Sequence, residues 1–245
     1  MIEGWLREAV KACGLPSSPT LGDLRDQVRM SLPLTLVKRP RLTCGLARDW
    51  LDSMGRAHGG LPRTDRRLHG CMVAHGGGGI LFYDSQDDEL QQRFTLAHEV
   101  AHFVLDHHLP RARALRSFGE TILPVLDGKR PPAPHESLFL MLERIPTGVQ
   151  VRRMERNDSG EPCTGREMEA ELHADRLAFE LLAPAREALP LLRRASRQEA
   201  AAELASRFGL PEREARAYAR LLMAREPARR SFFVNLVPVE ECSHE

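Results

Sequence analysis

Apolar residues recur along this chain at two different spacings, and the changes between them mark its elements. Leu6, Val10 and Cys13, then Leu21, Leu24 and Val28, fall three or four apart, the repeat of a helix with one buried face. Residues 1–57 therefore read as helical, with breaks near 15–19 and 33–40 where prolines and glycines gather. The pattern tightens at His69–His75 and Gly79–Tyr83, two short apolar runs joined by the glycines 76–79. This predicts two strands and a tight turn. No GxxxxGK[ST] follows those glycines and no helix starts there, so a phosphate-cradling loop does not fit. Helical spacing returns at Leu90, Phe94, Ala97, Ala101 and Val104. Ser85–Asp88 offers a capping box for that helix, Asp87, Asp88 and Glu89 suit its positive end, and Pro110 is expected to stop it.

Residues 110–166 break the pattern, with Pro124, Pro131, Pro132, Pro134 and Pro146 spread through them. They read as a long insertion of turns and short elements, including a hairpin at Val149–Glu155 that turns at Asn157–Gly160. A helix then runs from Glu167 to Leu182, ended by Pro184. Another capping box, Ser196-Arg-Gln-Glu199, opens two short helices separated by Gly209-Leu210-Pro211, a helix-turn-helix outline reaching Met223. Ser231–Val237 reads as a final strand.

Composition narrows the setting. An apolar fraction of 42% supports a folded core, and a net charge of +1 gives no global pull toward nucleic acid or membrane. The five cysteines are scattered and odd in number with no CxxC pair, which fits free thiols in a reducing compartment. The N-terminal residues lack the basic start and unbroken apolar run of a signal peptide, and no apolar stretch approaches the roughly 20 residues that span a bilayer. A cytoplasmic location without membrane contact is expected.

The chemistry centres on His98-Glu99-Val100-Ala101-His102. Histidines four apart share one helical face, so both imidazoles can reach one metal ion. The metal expected is zinc, which lowers the pKa of a bound water to about 7, and Glu99 stands close enough to act as general base on it. An ordinary amphipathic helix would carry two such histidines on its polar face. Here they interrupt an apolar stripe, where uncompensated His and Glu would be costly. A catalytic zinc takes three protein ligands. His108 has the spacing of HExxHxxGxxH, but Leu105 stands where that motif needs a helix-breaking glycine, so His108 is expected to stay on the helix. His107 is read as a surface or supporting residue. The better third ligand is Glu171, in Glu171-Leu-His-Ala-Asp175, with Asp175 one turn on to accept a hydrogen bond from a liganding imidazole. A solvated acidic face is the plainer reading of Glu167, Glu169, Glu171 and Asp175, but Leu172, Leu177, Phe179, Leu181 and Leu182 mark the helix as largely buried.

Arg93-Phe-Thr-Leu-Ala-His-Glu-Val-Ala-His102 resembles the FTLAHELGH signature of ImmA/IrrE-type metallopeptidases, and Glu171–Pro184 resembles that family's second block. The resemblance covers about 80–222. It implies zinc ligands His98, His102 and Glu171, the base Glu99, and a protein substrate such as a helix-turn-helix transcriptional repressor. The chain departs from the family at His173, where a second Glu is common, at Ala183, where Met is usual, and in the 68 residues between His102 and Glu171, more than the family usually has.

The fold expected is α+β: a zincin-like core in which a small sheet packs on the HExxH helix, with N-terminal helices and a C-terminal helix-turn-helix-like subdomain. The expected division is 1–68, 69–185 carrying the insertion at about 110–166, and 186–245. Cys71 or Cys163 is a candidate to occupy the open zinc position, and Tyr83, His75, His135 and His173 are candidate oxyanion donors. The competing function is a DNA-binding or sensory regulator with a structural metal, using 196–223 on nucleic acid. Residues 186–230 hold 11 Arg against 6 Glu, a local +5, but Glu212 and Glu214 stand where a recognition helix would meet the duplex. A scaffold that has lost activity is a third reading, which the intact Glu99 opposes.

Overall fold

A computed structural model describes residues 3–16, 20–155, 164–194 and 199–225. The N-terminal part supplies α1 (Gly4–Cys13), α2 (Leu21–Ser31) and α3 (Cys44–Ser53), as the apolar spacing predicts. It also supplies a strand, β1 (Leu34–Arg39), where the sequence reads as a break. Pro33 and Pro40 prompt that reading, yet they flank the strand and cost its ladder no donor. β1 runs parallel to β3 (Gly78–Asp84), which pairs antiparallel with β2 (Leu68–His75) through the two-residue turn Gly76-Gly77. Both turn glycines have positive φ, +62° and +85°, the geometry of tight hairpins. β4 (Gln150–Glu155) closes the order β1-β3-β2-β4. β4 forms the first arm of the hairpin expected at Val149–Glu155 and pairs with β2, while the turn expected at 157–160 lies outside the described residues.

Side chains alternate across this α+β sheet. Met72, Ala74, Leu81 and Tyr83 face the main core, with α1, α2, α4 (Glu89–His102) and α8 (Gly165–Leu182). Cys71, Val73 and Phe82 face a second cluster that α3 completes with Cys44, Ala47 and Leu51. α4 starts at Asp88, whose side chain accepts from the Gln91 amide at 2.8 Å, and not from the box at Ser85. The Ser85 amide is held by the Arg39 carbonyl at 2.9 Å, so the chain there still belongs to the sheet.

Pro110 does not end the helical run. Residues Phe103–His108 form a wide π-helical turn, and α5 (Leu109–Phe118) follows with Pro110 in its first turn. In a continuous α-helix the proline ring would clash with the Asp106 carbonyl. The widened turn lets Pro110 sit where its missing N–H is harmless. The rest of the insertion holds α6 (Leu123–Leu126) and α7 (Pro134–Leu142), which pack round their own cluster of Ala114, Ile122, Val125, Leu126, Leu140 and Ile145.

α8 begins at a capping box of Thr164 and Glu167, two residues before its expected start. An unanticipated α9 (Ala185–Leu192) precedes α10 (Ala200–Phe208) and α11 (Glu212–Arg225). Tyr218 of α11 stacks on Phe179 at 4.5 Å and donates to the Ala183 carbonyl at 2.9 Å. The buried Arg93 guanidinium binds the Phe208 and Gly209 carbonyls, tying α4 to the α10–α11 turn. The capping box at Ser196 and the strand at 231–237 lie outside the described residues.

α4 approaches the sheet most closely over β2. A Cβ on Gly70 would lie 2.5 Å from Thr95 Cγ2 and 2.8 Å from Glu99 Oε1, so only glycine fits there. Gly70→Ala is expected to lower stability by about 1–3 kcal/mol. The check is the denaturant midpoint, which should fall with an unchanged slope.

Candidate metal centre

Three donor side chains converge on one point between α4 and α8. His98 and His102 stand one turn apart on α4, with Nε2 atoms 3.1 Å apart. Glu171 of α8 places Oε2 3.3 Å from the first Nε2 and Oε1 3.3 Å from the second. Among the described residues these are the one group of three or more His, Cys, Asp or Glu side chains able to hold a metal. Four-coordinate zinc, with bonds of about 2.0–2.1 Å, needs donors roughly 3.3 Å apart, so the spacing fits.

Both rings are aimed by carboxylates behind them. His98 Nδ1 donates to Asp175 Oδ1 at 2.9 Å, and His102 Nδ1 to Asp106 Oδ2 at 2.9 Å. Each bond fixes its ring and turns Nε2 inward. Asp175 stands where the sequence puts it. Asp106 is missed by sequence reasoning, although its place four residues after His102 on a helical run could have found it.

Glu99 points toward the sheet, fully buried, and neither carboxylate oxygen has a hydrogen-bond partner. Burial pushes its carboxyl up, the His98 and His102 rings pull it down, Glu171 raises it again, and the result is about 7. The Met154 backbone, in β4, also lowers it. Glu171 behaves in the opposite way. Burial would raise its carboxyl, but His102 and His98 hold it far below the usual range. For His98 burial opposes the charge, yet Asp175 and Glu171 outweigh it and push the ring up to about 10. His102 is raised in the same manner by Asp106 and Glu171.

The other candidates lie elsewhere. His108 stays on the wide turn, stacked against Phe103 at 5.8 Å, and is no part of the donor group. His107 is buried, with Nδ1 2.6 Å from Gln150 Oε1. Cys71 faces the second cluster, across the sheet from α4, and burial, then Glu99, holds its thiol neutral. It therefore does not gate the metal position. Cys163 lies outside the described residues. His173 packs on Trp5 at 4.6 Å, His135 on Phe118 at 5.8 Å, His75 meets the Asp127 carbonyl at 3.4 Å, and Tyr83 is buried in the main core. These contacts are with the scaffold and assign none of the four an oxyanion role.

Residues 52–122 match the family model described as the IrrE N-terminal-like domain, Peptidase_M78. Over these residues the chain is similar to the IrrE-like M78 peptidases. The matched stretch contains β2, β3, α4 and the wide turn, and so the His98–His102 HExxH segment. It ends before α8, so Glu171 joins the group on its geometry. No curated protein matches the chain. Among the described residues no helix is long and apolar enough to cross a membrane.

Because His98 holds its proton up to about 10, an incoming metal must displace it at neutral pH. Zinc loading at pH 7 is expected to release at least about one proton per site. Calorimetric titration in buffers of different ionisation enthalpy checks this: the apparent binding heat should change with the buffer. The sign follows from the raised pKa: the charged ring stabilises the metal-free fold fully below about 6.5, and that contribution is lost as pH rises through about 10.

Proposed function

We propose that this chain is a zinc endopeptidase built on a minimal zincin-like core, acting on a protein substrate. The observation that carries the proposal is the convergence of His98, His102 and Glu171 beside a buried Glu99 whose oxygens have no hydrogen-bond partner. Two imidazoles and a carboxylate at four-coordinate spacing suit zinc, which when bound would polarise the peptide carbonyl and lower the pKa of water to about 7. Glu99 takes a proton from the attacking water onto its carboxylate. It then delivers that proton to the amine nitrogen as the peptide C–N bond breaks. Burial already raises this carboxyl above the ordinary range, the direction a group needs to make both transfers near neutral pH. His98 and His102, held by Asp175 and Asp106, keep their Nε2 atoms pointed inward throughout.

The substrate class follows the family resemblance: a helix-turn-helix transcriptional repressor whose cleavage releases the genes it controls. A cytoplasmic site of action agrees with the free thiols of Cys13, Cys44 and Cys71. The segment 196–223 supports this reading better than it supports a DNA reader. Ala215, Tyr218, Ala219 and Leu222 of α11 are buried in the main core. Glu214 is half-buried near Asp175, whose charge helps raise its carboxyl after burial, the larger cause. These contacts fit a packing or substrate-recognition role.

The test pairs two variants. Wild type should carry about one zinc per chain, and Glu171→Ala should lose it. Glu99→Gln should keep the metal while cleavage of a repressor substrate falls by about 10²–10⁴. A wild-type protein that binds no zinc even when supplied with it would overturn the proposal.

A further inference from the structure

The geometry points to Asp106 and Arg152 as a positioning pair that sets His102 for the metal. This inference rests on the zinc reading above and extends it to two residues outside the ligand set. One carboxylate oxygen does two jobs: Asp106 Oδ2 accepts from His102 Nδ1 at 2.9 Å and from Arg152 Nε at 2.8 Å. Arg152 belongs to β4, so the guanidinium reaches the wide turn from outside the ligand helix.

The strand grips that turn at two successive residues. Gln150 and Arg152, two apart on β4, share one face of the sheet. Gln150 Oε1 meets His107 Nδ1 at 2.6 Å, and Arg152 meets Asp106. β4 is registered on β2, with Arg152 opposite Met72 and Val151 opposite Val73. β2 in turn lies against α4 at Gly70. The position of the guanidinium is thus fixed by the same sheet that seats the ligand helix.

The two rings are therefore aimed by different means. Asp175 shares α8 with Glu171, so His98 is oriented by the helix that also supplies a ligand. Asp106 sits beyond the end of α4, on a turn whose backbone is neither that of α4 nor that of α5. A carboxylate in that place needs an external anchor, and Arg152 provides one. Its positive charge also offsets part of the negative charge that Glu171, Asp175 and Asp106 bring together. Neither residue touches the ligand point; they act through His102.

The experiment measures zinc Kd by chelator competition for wild type, Asp106→Asn, Arg152→Met and Arg152→Lys. Visible spectra with cobalt(II) in place of zinc, and thermal midpoints of the metal-free proteins, accompany it. Asp106→Asn should weaken zinc binding by about 10–100-fold. Arg152→Met should weaken it less, Arg152→Lys should recover most of the loss, and the cobalt bands should shift in the first two variants. Wild-type Kd and unchanged cobalt bands in both Asp106→Asn and Arg152→Met would overturn the inference. Should Asp106→Asn fail to fold, the partly exposed Arg152 decides: a Met variant equal to wild type overturns it, and a weakened Met variant restored by Lys supports it. Absence of zinc binding in wild type would instead overturn the peptidase reading itself.

Discussion

The structure is organised around the desolvation of one carboxyl group. Glu99 is fully buried beneath β2 with no hydrogen-bond partner for either oxygen. A charge in that position is expensive unless others compensate it. The compensation is His98 and His102 on its own helix, and they in turn require Glu171, Asp175 and Asp106. Each layer of charge calls for the next, until Arg152 and the half-exposed rim of α8 bring the set back to solvent. The close approach of α4 to Gly70 is what buries the innermost position.

This arrangement separates two residues of the same type. Glu99 and Glu171 carry identical side chains, yet burial lifts one to about 7 while two imidazoles hold the other far below its usual range. Under the proposed zinc reading, environments that push two carboxyl groups apart suit them to different work, one to proton transfer and one to ligation. The division is made by position alone: Glu99 faces the sheet, and Glu171 faces the two Nε2 atoms from α8.

The residues that hold the site were legible in proportion to how local their signals are. Spacing along one helix placed His98 and His102 together, and the same spacing on α8 put Asp175 one turn from Glu171. The β2–β3 hairpin was legible because its glycine turn and apolar runs are contiguous. β1 was not, because Pro33 and Pro40 at its ends look like breaks and its pairing with β3 is long-range. β4 was read as half of a hairpin for the same reason: its partner, β2, lies about 80 residues away in sequence. Pro110 reads as a stop in the sequence, since one-dimensional rules do not include a helix that widens to accept it. Asp106 went unnoticed because that stop lay just beyond it, and its anchor Arg152 lay in the least readable segment.

The 68 residues between His102 and Glu171 leave the ligand helix and return to the other side of the same point. In polymer terms, His102 and Glu171 are the two ends of a loop, and an ion held by both would act as a crosslink across it. The entropy of closing such a loop grows only with the logarithm of its length, about 0.6 kcal/mol for each doubling. Among its described residues, a good part of the intervening chain packs on a small core of its own, with Ile122, Val125, Leu126, Leu140 and Ile145. Lengthening this connection is therefore thermodynamically cheap. The region between the two ligand-bearing helices is where such a protein can acquire new surface without disturbing its centre.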